Sequence, residues 1–182
     1  MKNFFKKMII KISNLLLWGS RNWEDENLIL LAKNLMNSEL WRDSSDPLQL
    51  SQKEFKVYSQ WGDDGIIQFL TKTLKIKNKN FIEFGVADYF ESNTHFLLIN
   101  DNWNGFVIDG SKKNIDTLKN SIISWRYNIT SEVAFITKKN INELVFKSGF
   151  ENLGLLHIDL DGNDYWILEE LNISQLQPDI LI

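Results

Sequence analysis

Two short apolar runs, separated by a polar turn and a helical stretch, most constrain how this chain can fold. The first run, 81–84, contains an acid at Glu83 and breaks at Gly85, and the second, 105–108, ends in Asp109. Parallel strands in an open α/β sheet bring their C-terminal ends to one crevice. The spacing from Glu83 to Asp109 is close to the roughly 20 positions expected in a nucleotide-binding strand–helix–strand unit. The pattern therefore predicts a crevice able to hold a nucleoside-containing ligand.

From Tyr58 onward, short apolar segments alternate with amphipathic ones. Strands that alternate with helices indicate a mainly parallel sheet with right-handed crossovers, so the predicted fold class is α/β. The predicted helices are 63–75, 93–101, 112–121, 140–148 and 163–171, and the predicted strands are 80–85, 105–109, 132–136, 154–160 and 178–182.

Residues 1–55 have a different pattern and are predicted to form an N-terminal helical segment that precedes an α/β domain at 56–182. Within it, Leu28, Leu31, Leu35 and Met36 recur at helical spacing in the stretch 24–40. The residues Asp43–Pro47 form a breaker cluster and a plausible boundary. At the other end, the run 178–182 has the character of a fifth strand, and we expect the chain to be a C-terminally incomplete piece of a longer protein.

Composition excludes several classes of function. The net charge is −4, which gives no electrostatic footprint for nucleic acid. The chain has no cysteine, which removes disulfides, thiolate metal sites and cysteine nucleophiles and fits a reducing, cytoplasmic setting. Residues 1–18 are apolar at helical spacing with lysines at 2, 6, 7 and 11. Such a segment either packs on the domain or on another chain of an oligomer, or lies on the inner membrane surface.

The loop after the first strand is poor in glycine. Gly85 is present, but Ala87 and Tyr89 stand where a dinucleotide-binding loop would carry further glycines. A loop of this composition is poorly suited to a pyrophosphate, so a cofactor without phosphates fits better. The alternative is a strand followed by a helix that Asn93 or Thr94 caps.

A dense carboxylate cluster follows a later apolar run, at Asp159, Asp161 and Asp164. Asp159 and Asp161 resemble the paired acids of aspartyl-nucleophile phosphatases, but Asn163 replaces the expected threonine. They also resemble the Asp-x-Asp of nucleotide-sugar glycosyltransferases, whose carboxylates hold a divalent cation. A calcium loop is rejected because Asp164 stands where that loop requires glycine. In the α/β interpretation, Asp159 and Asp161 face the crevice and are candidate bases for a substrate hydroxyl, whereas Asp164 alternatively caps the next helix.

Three other features are weaker. The segment 58–65, YSQWGDDG, predicts a turn in which an aspartate caps a helix, and such a loop could also cover a bound cofactor. The two histidines are His95, which lies early in a predicted helix and could reach the crevice, and His157, which is mid-strand and more typical of a core residue.

Six segments together resemble the FkbM-type branch of class I S-adenosylmethionine-dependent methyltransferases. They are SQWGDDG (59–65), FIEFGV (81–86), ESNT (91–94), WNGFVIDGS (103–111), ITKKNINEL (136–144) and LLHIDLDGNDYWIL (155–168). The resemblance covers about 58–182 and implies a Rossmann-like methyltransferase fold that binds S-adenosylmethionine. It implies that Glu83 and Gly85 lie at the methionine end of the cofactor and Asp109 at its ribose hydroxyls. The cofactor-binding set so implied is Glu83, Gly85, Val86, Asn93, Asp109, Gly110 and Ser111.

The resulting prediction is an S-adenosylmethionine-dependent methyltransferase that methylates a hydroxyl oxygen of a small-molecule, sugar or glycan-like acceptor, with no metal. Asp159 and Asp161 are its candidate catalytic residues. Two alternatives remain open at this point: a metal-dependent nucleotide-sugar glycosyltransferase that uses Asp159 and Asp161, and a non-catalytic Rossmann-like module.

Overall fold

The computed structural model describes residues 23–42 and 50–182. The predicted amphipathic segment 1–18 and the whole breaker cluster Asp43–Pro47 lie outside these residues. The chain divides into two compact units, Met1–Ser45 and Asp46–Ile182.

The described part of the first unit is helical. Helix α1 covers 23–37 and helix α2 covers Glu39–Arg42. Met36 is buried, whereas Leu28, Leu31 and Leu35 are exposed, so only part of the predicted apolar stripe is covered. Among the described residues, no helix is both long enough and apolar enough to cross a membrane.

The second unit contains a five-stranded sheet in the order β3-β2-β1-β4-β5, and every neighbouring pair is parallel. This confirms the predicted Rossmann-like α/β fold, a mainly parallel sheet flanked by helices. The strands are β1 (Asn80–Phe84), β2 (Asn104–Asp109), β3 (Ile129–Val133), β4 (Leu155–Ile158) and β5 (Ile180–Leu181). A 3-10 helix (Leu50–Lys53) precedes the helices α3 (Asp63–Thr73), α4 (His95–Asp101), α5 (Lys112–Lys119), α6 (Ile122–Arg126), α7 (Ile141–Phe146), α8 (Asp164–Glu170) and α9 (Ile173–Leu176).

Alternate residues of each central strand enter two separate cores, because successive side chains of a strand point to opposite faces. On one face, Phe81 and Leu155 pack with residues of α3, α4 and α5, such as Leu97. On the other face, Ile82 and Leu156 pack with residues of α7, α8 and α9. The sheet is thus buried on both sides, as is usual for parallel sheets.

One predicted strand is misplaced. The apolar run predicts a strand at 132–136, whereas the structure forms β3 at Ile129–Val133. Since β3 lies at the edge of the sheet, its register is set by pairing with β2 on one side, where Ile129 aligns with Gly105. The apolar residues that follow leave the sheet: Phe135 is exposed, and Ile136 packs against the second core.

Candidate functional site

The strand order reverses between β1 and β4, and this switch point is where ligands bind in open α/β sheets. Gly85 follows β1 there, with a φ of +75°. A Cβ added to Gly85 would lie 1.8 Å from the carbonyl oxygen of Asp159, the residue that follows β4. Glycine is therefore required at this position both for its backbone conformation and for the close approach of the two strand ends.

The loop after Gly85 keeps a glycine-like backbone without further glycines. Ala87 has a φ of +47° and Tyr89 a φ of +71°, so three alternate residues adopt left-handed conformations. Such conformations are uncommon for residues with a Cβ and are concentrated at functional sites. Ala87 and Tyr89 stand where a dinucleotide-binding loop would carry glycine. Their backbone conformations are nevertheless ones that suit glycine.

Asp109 joins this loop to the end of β2. Its Oδ2 accepts a hydrogen bond from the backbone N–H of Ala87 at 2.9 Å, and its Oδ1 accepts one from the N–H of Ser111 at 2.7 Å. The Asn114 side chain donates to the same Oδ1 at 3.4 Å. The carboxylate is only partly buried. Because each carboxylate oxygen offers about two acceptor positions, Asp109 retains capacity for a ligand hydroxyl.

Glu83 is occupied by protein partners. It is buried on β1, and its Oε1 accepts from the N–H of Asn93 at 3.0 Å. Its Oε2 accepts from both the N–H and the hydroxyl of Thr94, at 3.2 Å and 2.5 Å. Neither Asn93 nor Thr94 caps α4 with its own side chain. Glu83, on β1, thus supplies the acceptors for the N–H groups at the start of α4. It thereby fixes the loop 85–94, which begins with Gly85.

Tyr89 continues the network inward. Its hydroxyl lies 3.0 Å from the Thr94 hydroxyl, and since the one hydrogen of Thr94 goes to Glu83, Tyr89 is the donor. Burial, with the Glu83 carboxylate nearby, raises the pKa of Tyr89 well above its ordinary value. The phenol is therefore neutral and structural.

His95 does not reach the crevice. Its ring is buried, stacks on Tyr58 at 4.0 Å between centroids and lies 4.9 Å from the ring of Tyr89. Burial lowers the pKa of His95 to about 4, so the imidazole is neutral at physiological pH. The sequence allowed His95 to reach the crevice, but its ring is instead buried against Tyr58 and Tyr89.

His157 is a core residue, but one nitrogen lacks a hydrogen bond. Its Nε2 lies 2.8 Å from the Asn93 side-chain nitrogen, whereas its Nδ1 has no partner within hydrogen-bonding distance. Glu83 aligns with His157 across the β1–β4 pair, and its Oε1 lies 3.7 Å from Nδ1. His157 thus contacts the loop 85–94 from the core, through the side chain of Asn93.

The acids after β4 divide into one structural residue and two free ones. Asp164 accepts from the N–H of Leu160 at 2.6 Å and of Gly162 at 3.3 Å, and so shapes the loop. Asp159 and Asp161 are exposed, and neither has a hydrogen bond or ion pair with another described residue. The backbone of Asp159 lies beside Gly85, since a Cβ on Gly85 would meet the Asp159 carbonyl oxygen. Asp161 adopts a φ of +49°.

Asp64 fixes the loop before α3. One carboxylate oxygen, Oδ2, accepts from the N–H groups of Val57, Tyr58 and Ser59, at 2.7, 2.7 and 2.9 Å. The other oxygen is buried and has no hydrogen-bond partner. Burial raises the pKa of Asp64, although the three N–H groups oppose that shift. The predicted helix cap at this motif is absent, because the side chain turns back to the preceding loop.

The structure brings together Gly85, Val86, Asp109, Gly110 and Ser111 at the C-terminal ends of β1 and β2, and it adds Phe135 beside them. A Cβ on Gly110 would lie 3.5 Å from the ring of Phe135, a residue 80% exposed after β3. Sequence reasoning missed Phe135 because it assigned the residue to a strand. The signal that could have found it is an apolar side chain just beyond the end of an edge strand.

Two of the loops at this edge of the sheet are acidic. The loops 85–94 and 159–163 contain Asp88, Glu91, Asp159 and Asp161 and neither contains lysine or arginine. Within the described ranges, no group of three or more His, Cys, Asp or Glu side chains is arranged to hold a metal ion. These two loops suit a ligand with hydroxyl donors and positive charge better than a diphosphate.

Comparison with known proteins adds little. No protein-family model and no curated protein matches the chain. Four chains of solved structures match it, among them a protein-L-isoaspartate O-methyltransferase at 11% identity and a TM-score of 0.43. That match covers 81% of this chain and 52% of the other, so this chain spans about half the length of that protein. The fold of this chain is accordingly established by its own strand order.

Proposed function

We propose that this chain is an S-adenosylmethionine-dependent methyltransferase of the FkbM type that transfers a methyl group to a hydroxyl oxygen of a sugar or glycan-like acceptor. One observation carries the proposal. The left-handed loop Gly85–Tyr89 is tied to Asp109 at the switch point of the sheet by the bond from Ala87 N–H to Asp109 Oδ2. This places a backbone that a ligand can approach closely beside a carboxylate that retains an acceptor position.

The residues present fit this cofactor. The ribose hydroxyls need an acceptor, and Asp109, which accepts three hydrogen bonds within the protein, keeps about one of its roughly four acceptor positions at the end of β2. The sulfonium and ammonium groups carry positive charge, which the acidic loops 85–94 and 159–163 favour. The cofactor has no phosphates, and these loops lack the basic residues that phosphates need. When bound, it supplies a methyl group activated toward nucleophiles by the sulfonium.

The protein residues act by positioning and by proton transfer. Val86 and Gly110 would lie against the donor, and Glu83 holds the Asn93 loop behind it. Holding acceptor and donor in a near-attack geometry can lower a barrier by several kcal/mol, roughly 7–11 in favourable cases. Asp159 or Asp161, both exposed and without a side-chain partner among the described residues, would take the proton from the acceptor hydroxyl.

Calorimetric titration of the chain tests the proposal. We expect S-adenosylmethionine and its demethylated product S-adenosylhomocysteine to bind, and Asp109→Ala to weaken both by about 1–3 kcal/mol, because a ribose hydroxyl loses its partner. Asp179→Ala is the matched control, since it removes an exposed aspartate just before β5, at the opposite edge of the sheet.

Two results would contradict the proposal. Binding of a nucleotide sugar with manganese, in place of S-adenosylmethionine, would favour the glycosyltransferase alternative. Binding of neither ligand would favour a non-catalytic module. Unchanged donor affinity in Asp109→Ala, with binding intact, would remove only the ribose assignment.

A further inference from the structure

We propose that Trp61 is a ligand-binding residue of this site, whose ring packs on the bound methyl donor. The inference rests on the proposed function. It adds to the site an aromatic side chain from the loop before α3, in addition to the residues at the strand ends. It is carried by three observations: where the loop lies, how firmly it is held, and what it exposes.

The loop 55–62 lies at the same edge of the sheet as Gly85. Helix α3 packs on the sheet through Ile67, and its end is joined to the start of β1 by the short segment 74–79. An 11-residue helix is about as long as a five-residue strand, roughly 17 Å in each case. Helix α3 therefore begins near the C-terminal end of β1, and the loop that precedes α3 lies at the crevice.

Ring contacts confirm this placement. Tyr58 stacks on His95, the first residue of α4, with 4.0 Å between centroids, and His95 in turn contacts Tyr89 of the left-handed loop at 4.9 Å. Phe55 packs edge-on against Phe96 at 5.4 Å. The Trp61 loop and the Gly85–Tyr89 loop are thus joined through a shared buried aromatic cluster.

Hydrogen bonds hold the loop from both sides of Trp61. Asp64 accepts three backbone N–H groups from 57–59, and the Ser59 hydroxyl donates to the carbonyl of Trp61 at 3.0 Å. Lys56 donates to the carbonyl of Gln60 at 2.8 Å. A loop fixed in this way presents its remaining side chains in defined positions, which is the arrangement that binding sites require.

The side chain so presented is large and apolar. Trp61 is 75% exposed, although the residues on either side of it in the motif are held by the network. An exposed indole on a rigid loop costs little conformational entropy on binding and offers both apolar area and a face for cations. The acidic loops and this face together suit the sulfonium-bearing half of the donor.

Intrinsic fluorescence and calorimetry test the proposal on the 182-residue chain. We expect titration with S-adenosylhomocysteine, with no acceptor present, to change the fluorescence of the wild type, and Trp61→Phe to lose most of that change. Calorimetry should show donor affinity about tenfold lower in Trp61→Ala and closer to wild type in Trp61→Phe, which keeps a ring. Because the side chain is exposed, the urea midpoint of both variants should stay near that of the wild type.

Trp125→Phe is the matched control. Trp125 is 84% exposed but lies on α6, which leads into the N-terminal end of β3, so it is on the opposite edge of the sheet. Its substitution should leave the ligand-dependent change and the affinity unaltered.

The failures are distinguishable. If the wild type binds no donor, the proposed function fails and the role of Trp61 fails with it. If the wild type binds and Trp61→Ala binds equally well, only the role of Trp61 is overturned. A fluorescence change that Trp125→Phe abolishes and Trp61→Phe retains would overturn it as well.

Discussion

At the scale of single residues, the site depends on backbone conformations that its sequence only partly supplies. Gly85, Ala87 and Tyr89 all have positive φ, but only the first is glycine. A residue with a Cβ in this region carries a strain of about 1–2 kcal/mol. Tyr89 is held there by complete burial and its hydrogen bond to Thr94, and Ala87 by its bond to Asp109. The surrounding contacts impose the loop geometry.

Gly85→Ala should be far more harmful than Gly149→Ala. Both glycines have similar φ, +75° and +69°, so both variants incur the strain of a left-handed alanine. A Cβ at Gly85 would also collide with the Asp159 carbonyl oxygen, whereas a Cβ at Gly149 would meet nothing within 4 Å. We expect unfolding free energies lower by about 3 kcal/mol or more and by about 1 kcal/mol, respectively, in urea denaturation. Equal losses would show that the strand ends do not approach as described.

At the scale of elements, the start of α4 depends on a strand residue. Glu83 accepts the N–H groups of Asn93 and Thr94 and the Thr94 hydroxyl, and both bonds from Thr94 are buried. Buried N–H groups that lose their acceptor cost about 1–3 kcal/mol each. The β1–α4 unit is therefore stabilised by a contact that neither element could make alone.

Glu83→Ala should lower the unfolding free energy by about 3 kcal/mol, because it leaves these donors without an acceptor. Glu83→Gln should cost less, since its carbonyl oxygen still serves one of the two backbone groups. Urea denaturation at neutral pH measures both, and Glu91→Ala, on an exposed side chain nearby, serves as control. A Glu83→Ala variant as stable as Glu91→Ala would refute this role.

The sequence predicts the helices and strands better than it predicts the contacts between them. Gly85 and Asp109 were found because apolar runs that end in a glycine or an acid mark strand ends, and this signal is local. That Glu83 serves α4, and that Asp64 serves the preceding loop, follows from contacts between segments that no periodicity reveals. The strand β3 was placed three residues late because an edge strand is defined by its partner rather than by its own apolar run.

At the scale of the whole molecule, buried titratable groups make stability depend on pH. Burial lowers the pKa of His95 from 6.5 to about 4, so the unfolded chain binds a proton at His95 at a higher pH than the folded chain does. Stability from this residue is present above pH 6.5 and is lost as the pH falls toward 4. Asp64 acts in the opposite direction, because its raised pKa favours the folded state at low pH.

His95→Phe should reduce the acid sensitivity of the fold. In the wild type, the His95 contribution corresponds to a loss of about 3 kcal/mol between pH 7 and pH 4, at about 1.4 kcal/mol per pH unit. Phenylalanine keeps the ring contacts with Tyr58 and Tyr89 but cannot be protonated. Thermal or urea unfolding across this range should give a flatter profile for the variant. Parallel profiles for the two proteins would show that His95 is not kept neutral by burial.

The hydrogen bonds that Asp64 accepts from the backbone of 57–59 also affect how fast a ligand can associate. Three N–H groups converge on one oxygen, so the 57–59 backbone has its geometry before any ligand arrives. Association rates fall when binding requires a conformational change. We therefore expect the proposed donor to bind beside this loop without an ordering step, at a rate governed by diffusion and orientation.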